Sequence, residues 1–442
     1  MKKNYAIIDV GSNTIRLVIY QIDQIGRFKE IQNVKVVARL RNYLNSQSQL
    51  SPEGITVLIN TLTSFREVIA SYPVAKIKCV ATATVRQSTN QREIMQQVKD
   101  KTDLDFRVIS EYEEAFFGFL AVVNSTPFEE GITIDIGGGS TEITYFNQRE
   151  IKEFHSFPFG VLSLKQMFVA GELPTETELA KISFFLKQQF SSLSWLNNKQ
   201  LPIIAIGGSA RNVVQIDQAI KKYPLAGVHQ YKMKRDDLSS VKSYLQGKTV
   251  EQLERVEGLS SDRVDVIIPA SEVFLSLYDC VNATSFCLSR KGLRDGVFYE
   301  ELMRTFQISV FPNVLEESFH ELAEEYEIDV NHSFHIAHTA KTMMEELEKL
   351  SLMSFSDDDY FYINKASYVY NLGQYIDSES SSQHSFYLLA NRTIDGMLHK
   401  QRLTIALLAS FKNKATFKQY LHPFRLWFTR EEQKKLRILG LY

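Results

Sequence analysis

Two short stretches about 125 residues apart carry residue types suited to holding phosphate and a divalent cation. One reads Asp9-Val10-Gly11-Ser12-Asn13-Thr14, the other Asp135-Ile136-Gly137-Gly138-Gly139-Ser140-Thr141-Glu142. Glycine lets the backbone turn tightly and come close to an anion, so that main-chain N–H groups can cradle its oxygens. The Ser and Thr hydroxyls add donors, and an Asp at a strand end can take a hydrated Mg²⁺. A lone Asp-x-Gly-Ser turn reads most simply as a hairpin turn. Two copies in the same order argue for a duplicated domain whose halves face one phosphate-binding cleft. Neither copy is a P-loop, because no G-x-x-x-x-G-K-[ST] spacing is present. Neither is a dinucleotide fingerprint, because a strand rather than a helix follows each turn.

The elements that must position these turns are legible in outline. Apolar runs ending at Asp9 and Asp135 read as buried strands, and Ile15–Ile19 and Ile143–Phe146 as the strands that follow. A third strand is expected from Phe28 to Leu40, then a helix with Ser51 as N-cap and Pro52 at its first position. Val74–Ala81 and Leu104–Ile109 read as strands. Ser110-Glu111-Tyr112-Glu113 is a capping-box pattern, opening a helix to about Val123. The loop 124–131, with Pro127 and Gly131, reads as a domain connection. The second copy predicts strands near 132–136, 141–147 and 150–157 and helices near 160–170 and 176–193. Strand Leu201–Ile206 then ends in a third Gly-rich turn, Gly207-Gly208-Ser209-Ala210-Arg211, ahead of a helix. A long helix from Arg263 to Val281, a short strand Ser285–Leu288 and a helix after Gly292-Leu293-Arg294-Asp295-Gly296 complete this part. From about 305 onward the pattern is helical, with a Ser-rich loop at Ser378–Ser382.

Composition excludes several classes. The formal net charge is −2, so no global basic footprint for nucleic acid exists. Cys79, Cys280 and Cys287 form neither a metal cluster nor an even disulfide set and fit a reducing compartment. With no signal-peptide core and no apolar run long enough to span a bilayer, a cytoplasmic, membrane-free protein is expected. Charge is uneven: 316–329 and Asp357–Asp359 are acidic, whereas the tail from Lys400 is basic. That tail is either a solvated helix surface or a surface that guides a polyanion.

In order along the chain, IDVGSNTIRLVI (8–19), ATATVR (81–86), ISEYEEAFFGF (109–119), IDIGGGSTEI (134–143), AIGGSARN (205–212), EGLSSDRVDVIIPA (257–270) and KGLRDGVFYE (291–300) resemble the exopolyphosphatase / guanosine pentaphosphate phosphohydrolase (Ppx/GppA) family. The resemblance covers the first two-thirds of the chain. It implies an α/β fold with two ribonuclease-H-like domains of the actin, heat-shock chaperone and sugar-kinase superfold facing a cleft, followed by an all-α HD-like C-terminal domain. The implied domains are 1–124, 125–304 and 305–442.

The family hydrolyses a terminal phosphoanhydride with water, a reaction that needs held phosphate oxygens, neutralised charge and an oriented water. The family's base aligns with Glu114. Its neighbour Glu113 has a local task as the third residue of the capping box, whereas Glu114 has none. The first helical turn should favour the ionised form of Glu114. Asp9, Asp135 and Glu142 are the expected Mg²⁺ acids, with a monovalent cation as an optional companion. Gly11, Ser12, Asn13, Thr14, Arg86, Gly137, Gly138, Gly139, Ser140 and Thr141 are expected at phosphate, and Gly207, Gly208 and Ser209 at phosphate or the cleft wall. Arg16, Arg211, Arg263 and Arg294 also match family positions, either in ion pairs or at ligand.

Family members often carry an HD metal site in the helical domain. Here His338 and His384 flank Tyr370-Asn371, where a His-Asp pair would be required, so a second metal centre is not expected. The implied partner is inorganic polyphosphate or guanosine pentaphosphate, and the resemblance implies a homodimer. Polyphosphate needs only a long basic groove, whereas a nucleobase needs a stacking pocket. The basic tail favours exopolyphosphatase over guanosine pentaphosphate phosphohydrolase. A kinase or chaperone of the same superfold, and a non-catalytic polyphosphate or alarmone sensor, are the remaining alternatives.

Overall fold

The computed structural model describes every residue except Met1, Ile25 and Arg27. The chain forms two compact units, Met1–Lys221 with Lys232–Phe311, and Lys222–Tyr231 with Pro312–Tyr442.

The first unit contains two sheets built to one plan. In the first, β1 (Lys3–Val10), β2 (Thr14–Ile22) and β3 (Phe28–Val37) form an antiparallel meander, and β4 (Val74–Ala81) and β5 (Phe106–Val108) extend it in parallel. Between them lie helices α1 (Pro52–Ala70), α2 (Ala83–Gln87) and α3 (Gln91–Thr102), and α4 (Glu111–Val123) follows. The strand order is β3-β2-β1-β4-β5. The second sheet starts with the meander β6 (Glu130–Ile136), β7 (Thr141–Asn147) and β8 (Glu150–Phe157), followed by α5 (Val161–Phe168) and α6 (Glu176–Ser191). Next come β9 (Ile203–Ile206), α7 (Gly207–Ile220), β10 (Lys232–Met233), α8 (Arg235–Leu245), α9 (Val250–Leu253), α10 (Ile267–Val281), β11 (Phe286–Leu288) and α11 (Leu293–Phe306). Its order, β10-β11-β9-β6-β7-β8, repeats the first plan with one short strand added at the edge. The duplication expected from the two turns is therefore real, and the architecture is the expected pair of α/β halves.

Alternating burial makes each central strand two-sided. One face of the first sheet packs Ile8, Val10, Leu17 and Ile19 on Ile55, Leu58 and Phe65 of α1. The other face packs Ile7, Val18 and Tyr20 in one core with Phe117 and Leu120 of α4, Val297 and Phe298 of α11, and Phe146, Ile204 and Ile206 of the second sheet. Tyr20 and Phe298 stack with ring centroids 4.1 Å apart. The helices α4 and α11 thus share a core with both sheets, which fixes the first turn of each.

Several boundaries differ from expectation. The helix expected from Arg263 starts at Ile267, because Ser261–Arg263 form a 3₁₀ turn that presents Arg263 Nη1 to Ser209 Oγ at 3.0 Å. The third Gly-rich turn is not a turn before a helix but the first turn of α7 itself. Ser381 and Ser382, expected in a loop, open a helix. Helices α3 and α8 escaped notice because few apolar residues, Ile94 with Val98 and Leu238 with Val241 and Leu245, mark their buried faces.

The helical unit, expected from 305, begins at Pro312, since α11 runs to Phe306 within the first unit. It comprises α12 (Val314–Glu325), α13 (Val330–Lys349), α14 (Asp357–Tyr368), α15 (Ser381–Asn391), α16 (His399–Ala409), α17 (Lys414–Leu421) and α18 (Arg430–Leu439). It also takes in Lys222–Tyr231, whose Tyr223 hydroxyl bonds His399 Nδ1 at 2.7 Å. The acidic run Asp357–Asp359 is the first turn of α14, where Asp359 accepts from the Ser356 N–H at 2.7 Å. Part of the basic tail is matched locally: Lys400 pairs with Glu432 at 2.8 Å, and Lys435 with Asp359. His338 is exposed on α13, and Tyr370 is 43% exposed. Among the described residues, no helix is long and apolar enough to cross a membrane.

Candidate active site

The two Gly-rich turns have the same internal geometry. Gly11 N–H donates to the Thr14 carbonyl at 3.1 Å, and Gly137 N–H to the Ser140 carbonyl at 2.9 Å. Neighbouring segments take up further carbonyls: Ala38 and Arg39 N–H reach Asn13 O, Arg41 N–H reaches Ser12 O, and the start of α5 reaches Gly137 O and Gly138 O. With those acceptors satisfied, the remaining N–H groups of the turns are what they can offer an anion. The turns face each other closely: a Cβ on Gly138 would lie 3.0 Å from Ser12 Cβ.

Strand register then builds two walls. In the first sheet Asp9, Arg16 and Lys35 lie opposite one another on β1, β2 and β3. In the second, Asp135, Glu142 and Ser156 occupy the same row on β6, β7 and β8. The repeat therefore places two cations after its first Asp, and a carboxylate and a hydroxyl after its second. Ser156 Oγ donates to Glu142 Oε1 at 2.9 Å. Arg294, second residue of α11, donates to Asp9 Oδ2 at 2.8 Å. The Tyr20 hydroxyl holds the adjacent Asp295 at 3.0 Å.

Glu114 enters from α4. The capping box forms as the spacing predicts: Ser110 Oγ accepts from the Glu113 N–H at 3.2 Å, and Glu113 Oε2 accepts from the Ser110 N–H at 2.8 Å. Glu113 also pairs with Arg107 at the surface. Glu114 is freed of local duty and bonds Arg86 Nη1 through Oε2 at 2.7 Å. Burial pushes its carboxyl up to about 7, against the pull of Arg86 and with added repulsion from Asp135 and Asp9. The expectation that the helix N-terminus keeps Glu114 readily ionised is therefore overturned. Desolvation outweighs the helix dipole here, and leaves an acid poised near neutrality.

The other acids follow the same rule. Burial, then Asp9, raises Asp135 to about 6. Glu142 is held well above the usual carboxylate range by burial first, then by Glu114 and Asp135. Burial also raises Asp9 despite Arg294. Arg16 is perturbed in the opposite sense: burial, then Arg294 and Arg211, lowers it to about 10.

One cleft of about 310 Å³ gathers most of the predicted residues. Asp9, Gly11, Ser12, Asn13, Thr14, Glu114, Asp135, Gly137, Gly138, Ser140, Glu142, Gly207 and Gly208 line it. Four predicted residues do not. Arg86 is turned to Glu114 and the Ile109 carbonyl, at 2.7 and 3.1 Å. Thr141 Oγ1 is bonded to Phe159 O at 2.7 Å, because alternate residues of β7 point to opposite faces. Ser209 Oγ accepts from Arg263, and Gly139 packs beneath Arg41. Gly207 adopts φ +89°, and a Cβ there would lie 2.7 Å from Asp135 Oδ1, so only glycine fits.

The expected metal trio is not a preformed cage. Among the described residues, no group of three or more His, Cys, Asp or Glu is spaced to hold a metal. Asp9 is occupied by Arg294, which leaves Asp135 and Glu142, direct cross-strand neighbours, as the acid pair.

Sequence reasoning missed Lys35, Asn212, Gln215, Ser260 and Arg290, which also line the cleft. Lys35 had a usable signal, its register opposite Arg16, but β3 slips by one residue at a bulge near Tyr20, which hides the alternation. Arg211, Arg263 and Arg294 all reach the cleft.

Residues 18–305 match the Ppx/GppA phosphatase family, and residues 314–440 match domain III of Ppx/GppA phosphatases. A guanosine-5'-triphosphate,3'-diphosphate pyrophosphatase of Photobacterium profundum is 24% identical over 433 residues, 93% of this chain and 81% of the relative. The crystal structure of the Aquifex aeolicus Ppx/GppA family member superposes with a TM-score of 0.61 at 26% identity, covering 69% of this chain and 99% of that one. An exopolyphosphatase from Cytophaga hutchinsonii shares the fold, with a TM-score of 0.62 at 22% identity over 68% of this chain and 98% of its own.

Proposed function

Because the chain belongs to the Ppx/GppA phosphatase family, we propose that it is an exopolyphosphatase that releases terminal orthophosphate from inorganic polyphosphate by attack of water. The observation that carries this reading is Glu114, a largely buried carboxylate poised near neutrality in the cleft that both phosphate turns line. The N–H groups and hydroxyls of the turns bind the terminal phosphoryl oxygens. Glu114 takes a proton from the water that attacks phosphorus. Arg86 keeps the Glu114 carboxylate in place and favours its ionised form against its burial.

The donor set suits Mg²⁺. Asp135 and Glu142 supply hard oxygens from adjacent strands, and each carboxyl is raised partly by neighbouring negative charge that a cation would neutralise. They would hold the ion jointly with substrate oxygens, since Mg²⁺ commonly rests on one or two carboxylates plus phosphate. When bound, it would offset charge developing on the phosphoryl oxygens.

The alternative substrate is guanosine pentaphosphate, the compound in the name of the Photobacterium relative, cleaved at its 5' end by the same parts. Polyphosphate is favoured because no aromatic side chain is among the described residues lining the cleft, so no stacking platform for a base is provided there. Phosphate release from long-chain polyphosphate and from guanosine pentaphosphate, measured side by side with Mg²⁺, tests the reading. Preference for polyphosphate, lost by about 10²–10⁴-fold in Glu114→Gln, is expected. Preference for the nucleotide would replace the substrate, and full activity in Glu114→Gln would overturn the mechanism.

A further inference from the structure

We infer that Arg211, with Arg290 beside it, forms a second anion subsite in the cleft, which holds phosphate groups of the substrate other than the one being cleaved. This deepens the hydrolase reading and rests on it for the chemistry of the ligand.

Three other cations of the cleft have partners. Lys35 is paired with Asp262 at 3.0 Å, Arg294 with Asp9 at 2.8 Å, and Arg263 with Ser209 Oγ at 3.0 Å. Arg211 differs. Its Nε is buried with no hydrogen-bond partner, and no carboxylate lies within ion-pair distance among the described residues. The charges that act on it are chiefly other guanidinium groups, Arg294, Arg290 and Arg263, against a single acid, Asp295. That acid is already engaged by the Tyr20 hydroxyl and the Gly292 N–H. A protein that gathers like charges in a partly dry cleft, and leaves donors unmet, raises its own free energy unless an anion completes the set.

Position fits this role. Arg211 stands in the second turn of α7, about 6 Å along the helix from Gly207, which lies against Asp135. It is therefore set beyond the acid pair rather than at it. Asn212 and Gln215 of the same helix line the cleft next to it and add neutral polar groups. A guanidinium fork suits phosphate oxygens better than a point charge does. Two substrates offer such oxygens: the continuing chain of inorganic polyphosphate, and the second phosphate group of a nucleotide such as guanosine pentaphosphate.

The test uses the full chain with Arg211→Gln and Arg211→Lys. Long-chain polyphosphate should raise the melting temperature of the wild type. Arg211→Gln should need about 10–100-fold more polyphosphate for the same rise, with Arg211→Lys in between. Orthophosphate, which occupies the turns alone, should protect all three equally. Without ligand, Arg211→Gln should melt no lower than the wild type, because it removes repulsion rather than a contact. A merely structural arginine would lower it. Kinetics separate the sources: a drop in kcat/KM for polyphosphate points to the inorganic chain, and a drop confined to guanosine pentaphosphate points to the nucleotide. Equal protection of Arg211→Gln by polyphosphate, with kcat/KM unchanged for both substrates, overturns the subsite. Should Arg211→Gln fail to fold, Arg290→Gln carries the comparison of polyphosphate with orthophosphate protection and of kcat/KM for the two substrates. Arg211-dependent protection in a wild type that cleaves neither substrate would keep the subsite and sink the hydrolase reading.

Discussion

Replacing Arg86 by Met separates two roles for that residue. The Arg86–Glu114 pair is close, 2.7 Å, with the two side chains only 16% and 13% exposed, so solvent screens it little. An opposite charge at this range lowers a carboxyl by about 1–3 units. Removing it should carry Glu114 from about 7 to somewhere between about 8 and 10. At pH 7 the ionised fraction then falls from about one half to between about 9% and 0.1%, a loss in kcat of about 5- to 500-fold. Activity should recover as pH rises, because the base is still present. The assay is kcat for phosphate release across about pH 5.5–10, with circular dichroism to confirm folding. If kcat drops by the same factor at every pH and the inflection stays near neutrality, Arg86 acts on phosphate and not through Glu114.

Three further outcomes follow from the same geometry. Glu114 ionises at about 7 in the fold against an ordinary value of 4.5, so the stability it contributes is full below about 4.5 and lost as pH climbs through 7. The cost approaches about 3 kcal/mol; urea midpoints of protein free of metal and phosphate should fall from pH 5 to pH 8, and a flat profile would contradict the burial of this group. A Cβ on Gly296 would come within 1.9 Å of the Phe117 carbonyl, so Gly296→Ala should force α11 off α4. It should cost about 1–3 kcal/mol and reduce kcat by moving Glu114, and wild-type values for both would refute that coupling. Finally, excess chelator should stop phosphate release without altering far-ultraviolet circular dichroism, and Mg²⁺ should restore it; release that continues in chelator would rule out the cation at Asp135 and Glu142.

Parts of the site that depend on near neighbours in the chain were open to reading. The Ser110–Glu113 box is a contact between residues three apart, so its residue types predicted it, and with it the freedom of Glu114. The duplication was readable because each turn repeats a strand, an Asp and small residues, and both turns close with the same hydrogen bond. Thr141 was misplaced for a local reason as well: the alternation of β7 sends Glu142 to the cleft and Thr141 to Phe159, and the motif alone does not say which member of the pair faces in.

The sequence by itself determined the strand–turn–strand repeats, the capping box that engages Glu113 and leaves Glu114 without a local partner, and the Gly residues that allow close approach, because these follow from residue type and short spacing. Tertiary structure alone decided that Asp9 belongs to Arg294, that Arg86 serves Glu114, that Arg211 stands among other arginines, and that Glu114 sits near neutrality rather than fully ionised. Each of these joins groups far apart in the chain, and each depends on how much water the packed core removes. Desolvation and long-range charge are properties of the assembled cleft, with no counterpart in any single stretch of residues.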